Sequence, residues 1–222
     1  MTKVYPNATV TLPTTTTTKC PASDGKEAVL TVWKKSLLFN CNGFTVYDGK
    51  GDLVFRVDNY MQGHKVEILL MDAAGKPLLT IRRKRLSLGD NWLVYDGETD
   101  VNPRFSVRKN VNLLNNKCLA HVCRISYDHN GTGSSSSSNN NNNNNKNVIY
   151  QIEGSYTQRS CSVYDGKRRR VAEIKKKEAV GGVAFGVDVF RLIVQPEIDT
   201  PFAMALVILL DQMFGSSRRF SS

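Results

Sequence analysis

A chain of 222 residues with 41% hydrophobic and 23% charged residues is long enough to bury one sizeable core. Thirty Lys and Arg against twenty Asp and Glu leave a formal charge of +10, which favours anionic partners without naming one. No apolar run reaches the roughly 20 residues of a membrane-spanning helix, and a wholly disordered chain is excluded by 9% aromatics and ample Val, Leu and Ile.

Residues 1–25 are rich in Thr and Pro, with a run Thr14–Thr18, and are expected to form a flexible leader. They hold no apolar core of a secretory signal, position 2 is Thr rather than Gly, and the chain ends in Ser-Ser. Neither secretion nor a myristoyl or prenyl anchor is therefore expected. Five scattered cysteines (Cys20, Cys41, Cys118, Cys123 and Cys161) then read as reduced thiols of an intracellular, cytoplasmic protein. The Asn-x-Thr triplets at Asn7 and Asn130 carry no glycosylation weight in that compartment.

An internal repeat organises the chain beyond the leader. Val46–Asp58 reads VYDGKGDLVFRVD; Leu70–Arg82, LMDAAGKPLLTIR, and Val163–Lys175, VYDGKRRRVAEIK, fall in register with it, and a looser copy starts at Val94–Gly97. Each copy is a short apolar stretch, a turn bearing Asp and Gly, and a second stretch of period two. In the first, Leu53, Phe55 and Val57 share one face, with Val54, Arg56 and Asp58 on the other. This is the pattern of a β-hairpin, with Asp-Gly expected to supply the positive φ. Asp48, Asp96 and Asp165 have the chemistry of metal or catalytic carboxylates, but their fixed place in the turn assigns them a structural role. Trp33 and Trp92 sit in apolar strand patterns and read as core or sheet-packing residues. A succession of hairpins predicts an antiparallel all-β sheet that must curl or close to hide its edges.

The sharpest metal reading is Cys118, His121 and Cys123, with His129. In a regular strand, Cys118 would face away from the other two, and no second pair at zinc-ligand spacing is present. From Asp128 to Asn147 runs a low-complexity tract containing Ser134–Ser138 and Asn139–Asn145. It is expected to be a disordered loop inserted in one domain spanning 26–215, because the repeats cross it; a domain boundary is the competing reading. Residues 216–222 form a polar tail.

Basic residues cluster. Lys167, Arg168, Arg169 and Arg170 occupy the turn of one hairpin, with Lys175, Lys176 and Lys177 shortly after, and Arg82, Arg83, Lys84 and Arg85 end another. If the fold placed them on one rim, they would form a patch for anionic phospholipid, each residue contributing about 1 kcal/mol. The bland alternative is a set of solvated hairpins whose charges protect strand edges. Nucleic acid is less favoured, since 167–177 contains no aromatic and no helix suits a major groove. A nuclear-import signal is a further reading of the same run. His64, His121 and His129 have no nucleophile in an identifiable pattern, no phosphate loop or G-x-S-x-G elbow is present, and no enzyme activity or cofactor is expected.

The strong helix signal lies near the C-terminus. Thr200 is the expected N-cap, Pro201 the first helical residue and Gly215 the stop. Between them Phe202, Met204, Leu206, Val207, Leu209, Leu210 and Met213 belong to a surface apolar almost all round. About 14 residues span about 21 Å, too short for a bilayer, so the helix must be enclosed by protein. The economical architecture is a closed β-barrel with this helix as its core.

The strings VWKKSLLFNCNGFTVYDGKGDLVFRVDNY, ILLMDAAGKPLLTIRRKRLSLGDNWLVYDGE and DVFRLIVQPEIDTPFAMALVILLDQMF, in this order, resemble the plant LURP-one-related proteins across roughly 25–127 and 148–215. That family is similar in fold to the Tubby C-terminal domain and the phospholipid scramblases. The resemblance implies an antiparallel barrel of about twelve strands around a hydrophobic C-terminal helix. It also implies a link to plant defence and, by fold analogy, to membrane-tethered transcription factors. The cysteine-rich palmitoylation cluster of the scramblases has no counterpart here, which sets lipid scrambling aside. The expected protein is a monomeric, non-enzymatic module that meets anionic phospholipid peripherally at the plasma membrane. A defence-signalling adaptor binding protein partners is the alternative, and a nuclear, nucleic-acid-binding regulator is the third.

Overall fold

Apolar residues two apart recur along the chain: Leu30 and Val32, Phe44 and Val46, Phe55 and Val57, Ile68 and Leu70, Leu79 and Ile81, Trp92 and Val94, Phe105 and Val107. A strand sends such residues to one face, and here every pair enters a single core cluster. The computed structural model describes residues 25–37, 41–62, 65–84, 90–111, 117–125, 148–179, 181–182 and 185–215. The expected leader (to residue 24), the Ser/Asn tract, the tail 216–222, Cys20, His64, Arg85 and His129 lie outside them.

Among the described residues the strands are β1 (Ala28–Leu37), β2 (Cys41–Tyr47), β3 (Leu53–Gln62), β4 (Lys65–Asp72), β5 (Pro77–Arg83) and β6 (Asn91–Asp96). They continue with β7 (Phe105–Lys109), β8 (Cys118–Arg124), β9 (Val148–Ser155), β10 (Ser160–Asp165), β11 (Arg170–Lys176) and β12 (Val189–Val194). Each pairs antiparallel with the next, and β12 returns to β1 with Ala28 opposite Val194 and Thr31 opposite Arg191, closing a twelve-stranded barrel. β8 and β9, which flank the Ser/Asn tract, are hydrogen-bonded neighbours in this one sheet.

The three repeats share a device finer than the sequence pattern shows. Each hairpin shifts register just beyond its turn, so that Val54, Leu78 and Val171 are extra residues opposite no partner. A bulge of this kind turns its extra residue toward the same face as its neighbour. Val54 and Leu78 accordingly pack on the core and Val171 is buried, whereas Leu53 stays outside the core cluster. The strict alternation expected for Leu53, Phe55 and Val57 is broken at its first member.

The turns also depart from expectation. Positive φ falls on Gly51 (92°), Gly75 (87°) and Arg168 (61°), three residues after the Asp, while Gly49 and Gly166 take ordinary values; Gly97 of the looser copy is positive at 62°. The amide of that third residue donates to the carbonyl of Asp48, Asp72 or Asp165, and the Asp amide donates to the carbonyl one residue beyond. This is a three-residue hairpin loop closed by a left-handed residue. A Cβ at Gly49 or Gly51 would meet nothing within 4 Å, so only φ distinguishes them. Gly51→Ala is expected to lower unfolding free energy by about 1–2 kcal/mol, and Gly49→Ala to change it by less than about 0.5 kcal/mol. Urea titration of both variants checks this, and equal losses would contradict it.

The helix α1 (Thr200–Phe214) runs down the barrel axis and buries Phe202 through Asp211, with Met213. The expected core residues Phe202, Met204, Leu206, Val207, Leu209, Leu210 and Met213 are all in the cluster. Phe202 stacks on Phe105 with centroids 4.1 Å apart. The N-cap is Asp199, one residue before the expected Thr200, and its side chain makes no capping bond. Gly215 ends the helix in extended backbone, and its role is clearance: a Cβ there would lie 2.4 Å from the Asp211 carbonyl oxygen. Lys109 donates from Nζ to the Met213 carbonyl at 3.3 Å and lies over the Phe214 ring, placing a cation at the negative end of the helix dipole. Among the described residues no helix is long and apolar enough to cross a membrane.

In an up-and-down barrel, alternate connections lie at alternate ends. One rim carries the 48–52, 73–76, 97–104 and 166–169 turns and the start of α1; the other carries the β5–β6, β9–β10 and β11–β12 connections and the end of α1.

Candidate functional site

The basic clusters do not meet on one rim. Lys167–Arg170 lie at the rim where α1 begins, whereas Arg82–Lys84 and Lys175–Lys177 reach the other. On that rim β5 and β11 stand six places apart in a ring of twelve, so the two clusters face opposite sides.

Most of these charges are already paired. Arg168 binds Glu153 at 2.6 Å and lies over the Tyr164 ring, Arg169 binds Asp165 at 2.7 Å, and Glu173 takes both Arg170 and Lys175. Arg82 donates to Glu67 and Arg83 to Asp90. Lys84, Lys167 and Lys176 have no ion pair among the described residues. Asp165 is held below the ordinary carboxylate range: partial burial opposes this, but the Arg169 amide and guanidinium and the Lys167 amide outweigh it. Its oxygens are committed to its own turn.

A different arrangement stands on the outer face of β1 and β12. There a groove of about 600 Å³ is lined by Val29, Thr31 and Trp33 of β1, Val189 and Arg191 of β12, residues 47–51 of the first hairpin turn, and Lys177 with Phe185. Of the two tryptophans expected to be core or sheet-packing residues, Trp33 is 53% exposed on the outside of the sheet, whereas Trp92 is 1% exposed. The reason lies in parity. Leu30, Val32 and Lys34 point inward on β1, so Val29, Thr31 and Trp33 point outward. Lys34 ends that inward row on the carboxylate of Asp211, 2.8 Å away.

The groove is ordered in rows. Arg191 lies opposite Thr31, which lies opposite Tyr47; Val189 lies opposite Trp33, which lies opposite Thr45. Lys177 donates from Nζ to Thr31 Oγ1 at 3.3 Å and sits 5.1 Å from the Phe185 ring centre. The wall at 185–188 is fastened by Arg159 Nε donating to the Val187 carbonyl and by the Lys34 amide donating to that of Asp188, both at 2.7 Å. Three cations (Lys50, Lys177, Arg191) face one carboxylate, Asp48. Asp48 is held ionised below the ordinary range, chiefly by the Asp52 amide with those of Lys50 and Gly51, so its acceptors are largely used by its own turn.

Of these residues the basic-cluster reading found only Lys177. A signal for the rest is present in AVLTVWKK, Ala28–Lys35, where both parities are apolar and a Lys falls on the inward one. A half-exposed strand carries one apolar parity, and a second one marks a covered or binding face.

The cysteine and histidine cluster takes an unexpected form. A register shift between Cys118 and Ala120 brings Cys118 to the face of His121, with Sγ 3.6 Å from Nε2, contrary to the alternation expected for a regular strand. Burial pushes the Cys118 and Cys123 thiols up, and burial with the charge of Arg108 pushes His121 down. Cys161, inside the barrel, is pushed up to about 12 by burial. Such thiols keep their protons and are poor nucleophiles or ligands. Among the described residues no group of three or more His, Cys, Asp or Glu is placed to hold a metal.

A family model described as LURP-one-related matches residues 28–211. Protein LURP-one-related 8 of Arabidopsis thaliana is 54% identical over 224 residues, covering 98% of this chain and 100% of that protein. Protein LURP-one-related 17 of the same plant is 43% identical, covering 91% of each. The X-ray structure of an Arabidopsis thaliana protein, 22% identical, superposes with a TM-score of 0.58 over 85% of this chain and 91% of that one, a likeness of fold.

Proposed function

The chain belongs to the LURP-one-related family, and from that premise we propose that it is a non-enzymatic module docking peripherally on anionic phospholipid through the β11–β12–β1 face. The observation that carries this reading is the exposed Trp33 beside a run of cations. Trp33 (53% exposed), Phe185, Val187 and Val29 project outward, Lys177, Arg191 and Lys175 (itself paired with Glu173) share that outer face, and Lys176 stands at the rim beside it. Tryptophan suits the headgroup level of a bilayer because it joins an apolar body to a polar N–H. Each Lys or Arg near an anionic leaflet adds about 1 kcal/mol, and apolar insertion adds to it, so the two together support reversible attachment. The 167–170 turn has a lesser part in this reading, since its three arginines are each engaged with a neighbouring carboxylate.

Co-sedimentation with vesicles of phosphatidylcholine containing about one-fifth phosphatidylserine, at about 50 and 300 mM salt, tests the proposal. The wild type is expected to pellet more at low salt. Trp33→Ala with Lys176→Glu and Lys177→Glu should weaken binding at least about tenfold, and Lys167→Glu should change it less than about threefold. Equal recovery of the wild type and the triple variant would remove this function. Retention of the wild type on DNA but not on vesicles would replace it with the nucleic-acid reading.

A further inference from the structure

We infer that the groove over β1 and β12 binds a single soluble amphiphilic anion, an apolar body carrying one carboxylate, with no bilayer required. The inference concerns the same face as the membrane-docking reading and deepens it from a surface to a site.

The groove has the size for such a ligand. About 600 Å³ falls within the roughly 300–1,000 Å³ of ordinary small-molecule sites. Its chemistry is divided as the ligand's would be. The Arg191–Thr31 row is polar, and the adjoining Val189–Trp33 row, with Phe185, is apolar, so the groove has a head end and a body end. Arg191 can present two parallel N–H donors to a carboxylate. Its present partner, Glu178, stands 3.8 Å away and is 81% exposed, a weak pair that a ligand displaces. Thr31 Oγ1 accepts from Lys177, which leaves its own hydroxyl proton to donate. A neutral apolar molecule would cover these cations and satisfy none of them, so the negative head is required.

The groove is also preorganised. β1 is hydrogen-bonded on both sides, to β12 and β2, and the opposite wall is held by Arg159 and the Lys34 amide. A floor already fixed loses little entropy on binding.

Decanoate below its micellar concentration is the probe, read by tryptophan fluorescence and by displacement of 8-anilinonaphthalene-1-sulfonate. Trp33 is the groove's own reporter, since the other tryptophan, Trp92, is buried. We expect saturable one-to-one binding that quenches or shifts emission in the wild type and is silent in Trp33→Phe. Arg191→Gln should weaken decanoate at least about tenfold, Arg191→Lys less, and 1-decanol should bind at least about tenfold more weakly than decanoate. Lys167→Gln, in the β10–β11 turn and outside the groove lining, should bind as wild type. Thermal melts confirm that each variant is folded. Decanoate bound equally by wild type and a folded Arg191→Gln, or decanol bound as tightly, overturns the inference. Pelleting with vesicles without decanoate binding overturns it while leaving membrane docking in place. Decanoate binding without vesicle pelleting supports it and removes the docking reading.

Discussion

Asp211→Ala is expected to lower the unfolding free energy by about 3–5 kcal/mol, although Asp211 lies near the end of its helix. Its Oδ1 accepts from Lys34 Nζ at 2.8 Å and from the Tyr156 hydroxyl at 3.2 Å. Side-chain exposure is 10% for Lys34 and 7% for Asp211, so both charges are largely withdrawn from bulk water. Removing the carboxylate leaves an ammonium enclosed without its counter-charge, and desolvation is then uncompensated. Tyr156 cannot take over, because burial, followed by the Asp211 charge itself, pushes its phenol far above the ordinary value and keeps it a neutral donor. Beside it Arg159 is spread over the Tyr156 and Phe190 rings at 4.2 and 4.4 Å, which closes this end of the barrel.

Replacing both partners, Lys34→Met with Asp211→Leu, is expected to cost far less than the single change, within about 1 kcal/mol of wild type. Urea unfolding of the single and double variants reads both quantities. A loss below about 1 kcal/mol for Asp211→Ala would mean that water reaches the pair.

Leu206→Ala is expected to cost about 2–5 kcal/mol. The side chain is 1% exposed on a helix surrounded by the strand ring. Collapse onto the void would require inward movement of strands hydrogen-bonded on both sides, so much of the cavity should persist. Each kcal/mol corresponds to about 2–4 °C in melting temperature for a domain of this size. Val111→Ala, at a position 79% exposed, is the control and should stay within about 0.5 kcal/mol. Similar losses at both positions would contradict the enclosure of the helix.

Enclosure was nonetheless legible in advance. Nine consecutive apolar residues, Phe202–Leu210, leave a helix without a polar face, while the hairpins offer one apolar face each; either element alone would expose grease to water. The hairpin pairings were legible for the same kind of reason, since both the turn and the alternation are local. The bulges at Val54, Leu78 and Val171 were not, because an extra residue in one strand is defined only against its partner. The same blindness hid the contact of Cys118 with His121.

The candidate site divides along this line. Basic residues can be counted in a sequence, but which of them carry uncompensated charge depends on distant partners. Glu153 neutralises Arg168 from 15 positions away in the chain, and Glu67 neutralises Arg82 across an equal separation. The apolar neighbours of Trp33 left core and sheet surface both open, and only the inward Lys34, drawn to Asp211 177 residues on, shows which parity faces the helix.

The amino-acid order by itself determined the class of the fold, the hairpin units and the helix that fills them, since these follow from periodicities of two and 3.6 read over a few neighbouring residues. Barrel closure set the rest. Pairing β12 with β1 put Arg191 beside Thr31 and brought Lys177 and Phe185 to a face that the 47–51 turn already borders through the β1–β2 hairpin, assembling a groove from strands at opposite ends of the chain. Proximity of that range is a property of the closed sheet, because no local preference specifies which distant strand arrives alongside.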